Sequence, residues 1–272
     1  MIRRNFLAGG AALVTALLAA CSKPKPAAAP ETKAPAPKPA PVPPAPPPLD
    51  FNVIDTPENV PAKVRIQLKT SKGTIVVELN GKKAPITTNN FLRYVDSGKL
   101  DGAQIWRAAN SGPSGFIQGT ARGPTFPPIA HESTAQTGLP HTDGAISMSR
   151  FDPGTATADF VFCVGDNTYM DAGREGSDDK LGYATFGYVV SGMDVVRAIL
   201  AGRISTKKAE AGQWAGQMLA TPVKIISGRR LDAKGKVVPL APQVVAQLEA
   251  AAAAKAAAAA SASASASMST SQ

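Results

Sequence analysis

Residues 61–231 of this chain predict a mainly β fold, a closed barrel with helical plugs, and three observations carry that prediction. Short apolar runs, several of them alternating with polar residues, follow one another between Gly- and Pro-rich loops. Only two segments in this stretch carry a helical pattern. Both ends of the chain are too poor in large side chains to add to a core: 24–48 is almost entirely Pro, Ala and Lys, and 250–272 almost entirely Ala and Ser. What remains is about 170 residues, ample for a single core.

The elements follow in order. Residues 64–69 alternate apolar and polar, Ser71-Lys72-Gly73 supplies a turn, and 74–79 resumes the alternation, which predicts a β-hairpin. Residues 84–95 have Pro85 near the first turn, apolar side chains at 84, 91, 92 and 95, and Ser97-Gly98 after the end, which predicts a helix. Strands are expected at 104–107, 115–118, 145–148, 160–164 and 185–190, a second helix at 193–201 and a closing strand at 222–227. Many short strands with two isolated helices suit a closed barrel, although periodicity does not say which one.

The net charge of +9 does not lie on this core. Residues 1–48 carry +5, residues 233–272 carry +2, and the whole of 49–232 carries only +2. A nucleic-acid-binding domain concentrates basic residues on a folded face, so no nucleic-acid partner is expected. Cys163 sits in the apolar run Phe160-Val161-Phe162-Cys163-Val164 and is expected to be a buried thiol; the other cysteine is Cys21.

The first 20 residues have a signal-peptide layout: Arg3 and Arg4, then an apolar stretch too short to span a bilayer. Leu18-Ala19-Ala20-Cys21 resembles the lipobox of bacterial lipoproteins, which implies lipidation of Cys21 and attachment to a membrane. Arg3-Arg4-Asn5-Phe6-Leu7 also resembles a twin-arginine export signal. Ser22 is not the Asp that retains lipoproteins at the inner membrane, so an outer-membrane anchor facing the periplasm is expected. Residues 21–60 then read as a spacer. In polyproline II, at about 3.1 Å per residue, its Pro/Ala/Lys part reaches roughly 70–80 Å. Residues 232–272 read as a low-complexity tail, with helix propensity over 250–260 and disorder expected in the Ser/Ala repeat beyond.

Five runs within 63–230 resemble the bacterial cyclophilins in order and spacing: Thr70-Ser71-Lys72-Gly73-Thr74-Ile75, Ala84-Pro85 to Asn90-Phe91, Phe116-Ile117-Gln118-Gly119, Gly144-Ala145-Ile146-Ser147-Met148-Ser149-Arg150, and Gly182-Tyr183-Ala184-Thr185-Phe186-Gly187 with Gly192-Met193-Asp194-Val195. The resemblance implies an eight-stranded antiparallel barrel capped by a helix at each end, with a prolyl-binding groove on its outer face. It further implies peptidyl-prolyl cis-trans isomerase activity on proline-containing segments, which the signal-peptide layout assigns to exported proteins. A monomer without a cofactor is expected. His131 and His141, the only histidines, have no Cys or carboxylate at metal-ligand spacing, so no metal is expected.

Residue by residue, Arg107 occupies the place of the family's catalytic arginine, and Gln118 matches the glutamine that binds substrate backbone. Phe116 falls on the hydrophobic wall. Ser149 and Arg150 match the stretch that binds residues before proline. Tyr169 and Met170 match a pair bordering the pocket, and Tyr183 takes the place of a pocket His or Tyr. His141 fits a pattern that suggests a structural role. The departures bear on binding: Trp106 replaces a His or similar residue, Gly115 stands where a pocket Phe is expected, and Asp159 and Val161 replace a glutamine and a Phe. A wide, shallow pocket is expected, with Asp159 positioned to form an ion pair with Arg107. The loop holding Asp166, Asp171, Glu175, Asp178 and Asp179 reads as a solvated insertion. Two other functions stay open: a cyclophilin fold that has lost turnover and only holds proline segments, and a tether between membrane and cell wall.

Overall fold

Alternation builds the barrel wall. In β1 (Val64–Thr70) Ile66, Leu68 and Thr70 are buried, and in β2 (Gly73–Leu79) Ile75, Val77 and Leu79 are, with more accessible residues between them. The hairpin closes through Gly73, whose φ of 138° suits glycine and whose missing side chain leaves room for Val195. The computed structural model describes residues 59–206 and 214–269. The signal peptide, the lipobox and nearly all of the spacer lie outside the described residues.

Six further strands complete the wall: β3 (Gln104–Asn110), β4 (Gly115–Thr120), β5 (Ala145–Met148), β6 (Asp159–Val164), β7 (Ala184–Ser191) and β8 (Met218–Leu231). Every pairing is antiparallel, and the order β1-β2-β7-β5-β6-β4-β3-β8 closes on itself through β8 and β1. This is the eight-stranded closed barrel that the resemblance implied. The interior holds Phe160, Phe162, Phe186, Ile117, Ile146 and Ile225, all at most 1% exposed. Helix α1 (Pro85–Asp96) inserts Phe91, whose ring meets Phe160 and Phe186 at 5.4 Å. A single turn, α2 (Thr134–Thr137), precedes β5, and α3 (Met193–Leu200) buries Val196, Ile199 and Leu200 against the barrel.

Helix α1 starts without a cap of its own. Its N-cap is Ala84, which has no side-chain acceptor, and Pro85 occupies the first helical position. The open N–H groups of Ile86 and Thr87 donate instead to the two carboxylate oxygens of Glu132, at 3.0 and 2.7 Å. A residue more than forty positions away thus does what an N-cap normally does locally.

A second buried network ties the loop after β6 to the barrel. His141 is fully buried; its Nδ1–H donates to Asp171 Oδ1 at 2.6 Å and its Nε2 accepts from Ser147 Oγ at 2.9 Å. Burial outweighs the pull of Asp171 and holds the imidazole below its ordinary value, so it is neutral in the fold. An unfolded chain takes up this proton near pH 6.5 and the folded one only at lower pH. Stability is therefore greatest above about pH 6.5 and declines as pH falls below it. Urea midpoints should drop between pH 7.5 and 5.5, with a shallower drop in His141→Gln; parallel profiles for the two proteins would remove the imidazole from the account.

Two expectations need correction. The acidic loop is not merely solvated: Asp179 accepts from Arg150 Nη1 and Nη2 at 2.7 and 2.9 Å, Asp171 holds His141, and Asp166 accepts from the Thr168 N–H. These partners lie up to 30 residues away, so spacing within the loop does not reveal them. The tail also contains more structure than its composition suggested, since α4 runs over Pro242–Ser269 and takes in the Ser/Ala repeat. Alanine has the best helix propensity, so a helix forms there without a large apolar face. The approach to it and its first turns rest on the barrel domain: Leu240, just before the helix, and Leu248 lie against Gly98, and Val244 is buried. None of the described helices is long and apolar enough to cross a membrane.

Candidate active site

A β-bulge aims the central residue. Ile105 pairs with Gly119 and Arg107 with Gln118, which leaves Trp106 as an extra residue in β3. Without it, Ile105 and Arg107 would share a face. With it, Ile105 and Ala108 both enter the core while Arg107 turns to the outside of the barrel beside Gln118. On a neighbouring strand Val161, flanked by the core residues Phe160 and Phe162, points the same way.

These outer faces line a cleft of about 680 Å³. All ten residues expected from the sequence to form the site, Arg107, Phe116, Gln118, Ser149, Arg150, Asp159, Val161, Tyr169, Met170 and Tyr183, line it. Trp106, Phe151 and Trp214 line it as well. Phe151 is 83% exposed at the cleft, a large apolar surface left open to a ligand.

Arg107 is only 8% exposed, and burial draws it down to about 10, so it keeps its charge at neutral pH. Its Nε–H donates to Gln217 Oε1 at 2.7 Å and Nη1 to Gln118 Oε1 at 2.8 Å. Its guanidinium lies 3.7 Å from the centroid of Trp214 and 4.9 Å from that of Phe116. Among the described residues Nη2 has no partner and no carboxylate pairs with the group. A buried cation without a counter-charge, facing a cleft, is held at a cost to stability, which makes Arg107 a candidate functional group.

The expected ion pair between Asp159 and Arg107 is absent. Asp159 Oδ2 accepts instead from Gln118 Nε2 at 3.4 Å, with Ser149 Oγ at 3.5 Å from the same nitrogen. Gln118 stands between acid and guanidinium, its oxygen toward Arg107 and its amide toward Asp159. Arg150 lines the cleft and also braces it. Besides Asp179, its guanidinium donates to the carbonyls of Gly182 and Phe151, so it fixes the wall of the cleft. Gly115 is not a gap in that wall: a Cβ there would meet the Ala109 carbonyl oxygen at 2.4 Å, and the residue does not line the cleft.

Trp214, Gln217 and the anchoring role of Asp179 had no local signal. A lone Trp in the small-residue run Ala211-Gly212-Gln213-Trp214-Ala215-Gly216 was the one available hint. The Asp171, His141 and Ser147 chain resembles an acid, base and nucleophile series. It is sealed, however, because His141 and Ser147 are fully buried and neither lines the cleft.

Fold and cleft define a class: a closed barrel that works on its outer wall by holding and polarising a ligand, with hydrogen-bond donors and apolar faces as its tools. The family described as cyclophilin type peptidyl-prolyl cis-trans isomerase/CLD matches residues 65–226, and the chain belongs to it. It is 39% identical over 138 residues to peptidyl-prolyl cis-trans isomerase cyp18 of Streptomyces antibioticus, covering 49% of this chain and 81% of that one. It is 37% identical over 145 residues to a peptidyl-prolyl cis-trans isomerase of Acinetobacter baylyi, covering 51% and 72%. A crystal structure of a Cryptosporidium parvum cyclophilin type isomerase covers 62% of this chain and 98% of its own, at 16% identity and a TM-score of 0.49.

Proposed function

We propose that this isomerase rotates Xaa-Pro bonds in proline-containing segments of exported polypeptides, as a monomer held to the bacterial envelope by a lipid on Cys21. The observation that carries the catalytic part is the Arg107 guanidinium, buried in the cleft with Nη2 unpartnered beside Gln118. Rotation faces a barrier of about 18–20 kcal/mol set by amide resonance. No bond breaks. As the bond twists, the imide nitrogen becomes pyramidal and its lone pair, no longer delocalised into the carbonyl, is localised there, where a fixed, charged N–H donor stabilises it more than it stabilises the planar ground state.

Phe116, Val161, Tyr169 and Met170 offer the apolar surface on which the proline ring rests. The long contacts of Gln118 Nε2 to Asp159 and Ser149 are weak enough to exchange for a substrate carbonyl. The anchor is supported by Leu18-Ala19-Ala20-Cys21, and the outer membrane facing the periplasm by Ser22.

Expressed as the full chain in bacteria fed labelled palmitate, the protein should take up label and sediment with membranes. Cys21→Ser should do neither while keeping its exchange rate on an Xaa-Pro peptide. Unlabelled, soluble wild-type protein would overturn the anchor; absence of exchange in folded wild type would overturn the isomerase.

A further inference from the structure

The approach to β8 is irregular in a way that bears on Arg107. Ile105 pairs with Val223, yet Arg107 pairs with Met218, so the two strands advance by very different numbers of residues between the same two rungs. The excess is held in place. Ser205 N–H donates to the Met218 carbonyl, Ala220 N–H to that of Arg203, and Ile204 bridges Leu219. Just before it, the Gln217 N–H donates to the Trp214 carbonyl, and the Ala108 N–H donates to the Gln217 carbonyl at 2.8 Å. The turn is thus fastened to β3 one residue beyond Arg107, and it delivers two side chains to that arginine.

They act on different parts of it. Gln217 Oε1 takes the Nε–H at 2.7 Å and Gln217 does not line the cleft, so it grips the arginine from behind. Trp214 does line the cleft and covers the guanidinium at 3.7 Å. Of the five N–H donors of a guanidinium, Nε and one on Nη1 are taken, and the free ones belong to Nη2 and Nη1.

We infer that Trp214 and Gln217 are positioning residues for Arg107: they fix its plane so that the Nη2 edge faces a bound proline segment, and Trp214 adds an aromatic wall that the substrate touches. This rests on the isomerase reading above. A guanidinium free to swing would have to be ordered at the moment of rotation, whereas one held at Nε and across its face is ordered beforehand.

The test uses the full chain and NMR exchange on an Xaa-Pro peptide, with kcat and KM resolved. Gln217→Met, which keeps bulk but removes the acceptor, should lower kcat about tenfold and change KM less than about threefold. It should also lose the slowly exchanging Arg107 Nε–H signal. Trp214→Leu should lower kcat and raise KM, and Trp214→Phe should recover most of both. Folded Gln217→Met with wild-type kcat and a protected Nε–H would overturn the inference. So would equal turnover in Trp214→Leu and Trp214→Phe, the deciding comparison if Gln217→Met does not fold. Arg107-dependent wild-type exchange alongside neutral variants sinks this inference alone, while wild type without exchange sinks the isomerase reading first.

Discussion

Arg107→Ala should lower kcat/KM for Xaa-Pro exchange by about 10²–10³, the loss that follows removal of a fixed donor from a site of developing charge. Arg107→Lys should recover little. A lysine ammonium has no planar fork to be held at one donor by Gln217 and at another by Gln118 while a further edge stays free. The domain should remain folded in both variants, and Arg107→Ala should be at least as stable as wild type, because a buried cation without a counter-charge is removed. Exchange spectroscopy with a parallel thermal melt checks both halves. Arg107→Ala with wild-type turnover would show that rotation in this cleft does not depend on the guanidinium.

Glu132→Ala should cost about 2 kcal/mol of stability without touching the cleft. Two backbone donors at the start of α1 lose a charged acceptor that lies 8% exposed, at a helix end where negative charge is favoured. For a domain of this size the melting temperature should fall by about 4–8 °C. Glu132→Gln should fall between the two, since one oxygen still accepts. Melts in which Glu132→Ala matches wild type would show that water serves these N–H groups equally well.

The two outcomes separate what was legible in the sequence from what was not. Strand positions followed from period-two alternation in β1 and β2 and from a short apolar run in β6, and all three stood where 64–69, 74–79 and 160–164 pointed. The expected site residues lie in one cleft because each occupies the outward phase of a strand or a loop beside it. Trp106 was visible as a substitution, yet its place as the extra residue of a bulge that turns Arg107 outward depends on the register with β4. The intramolecular partners of Asp159 and Arg150 were hidden for a similar reason. An ionic side chain goes to whichever partner the fold brings within reach, and Gln118 and Asp179 come from other strands and loops. Glu132, Trp214 and Gln217 act across separations of 45 to 110 residues, where no local pattern operates.

Closure of the barrel through β1 and β8 sets an order on the making of the protein. Leu68 waits for Gly228 and Ile66 for Arg230, so the first strand to leave the ribosome keeps one edge bare until nearly the last residue of the barrel has been synthesised. The turn that grips Arg107 comes just before that same last strand. A nascent or truncated chain ending before residue 214 therefore has an open, adhesive edge and a loose guanidinium together. Closure and activation arrive in one step, at the end.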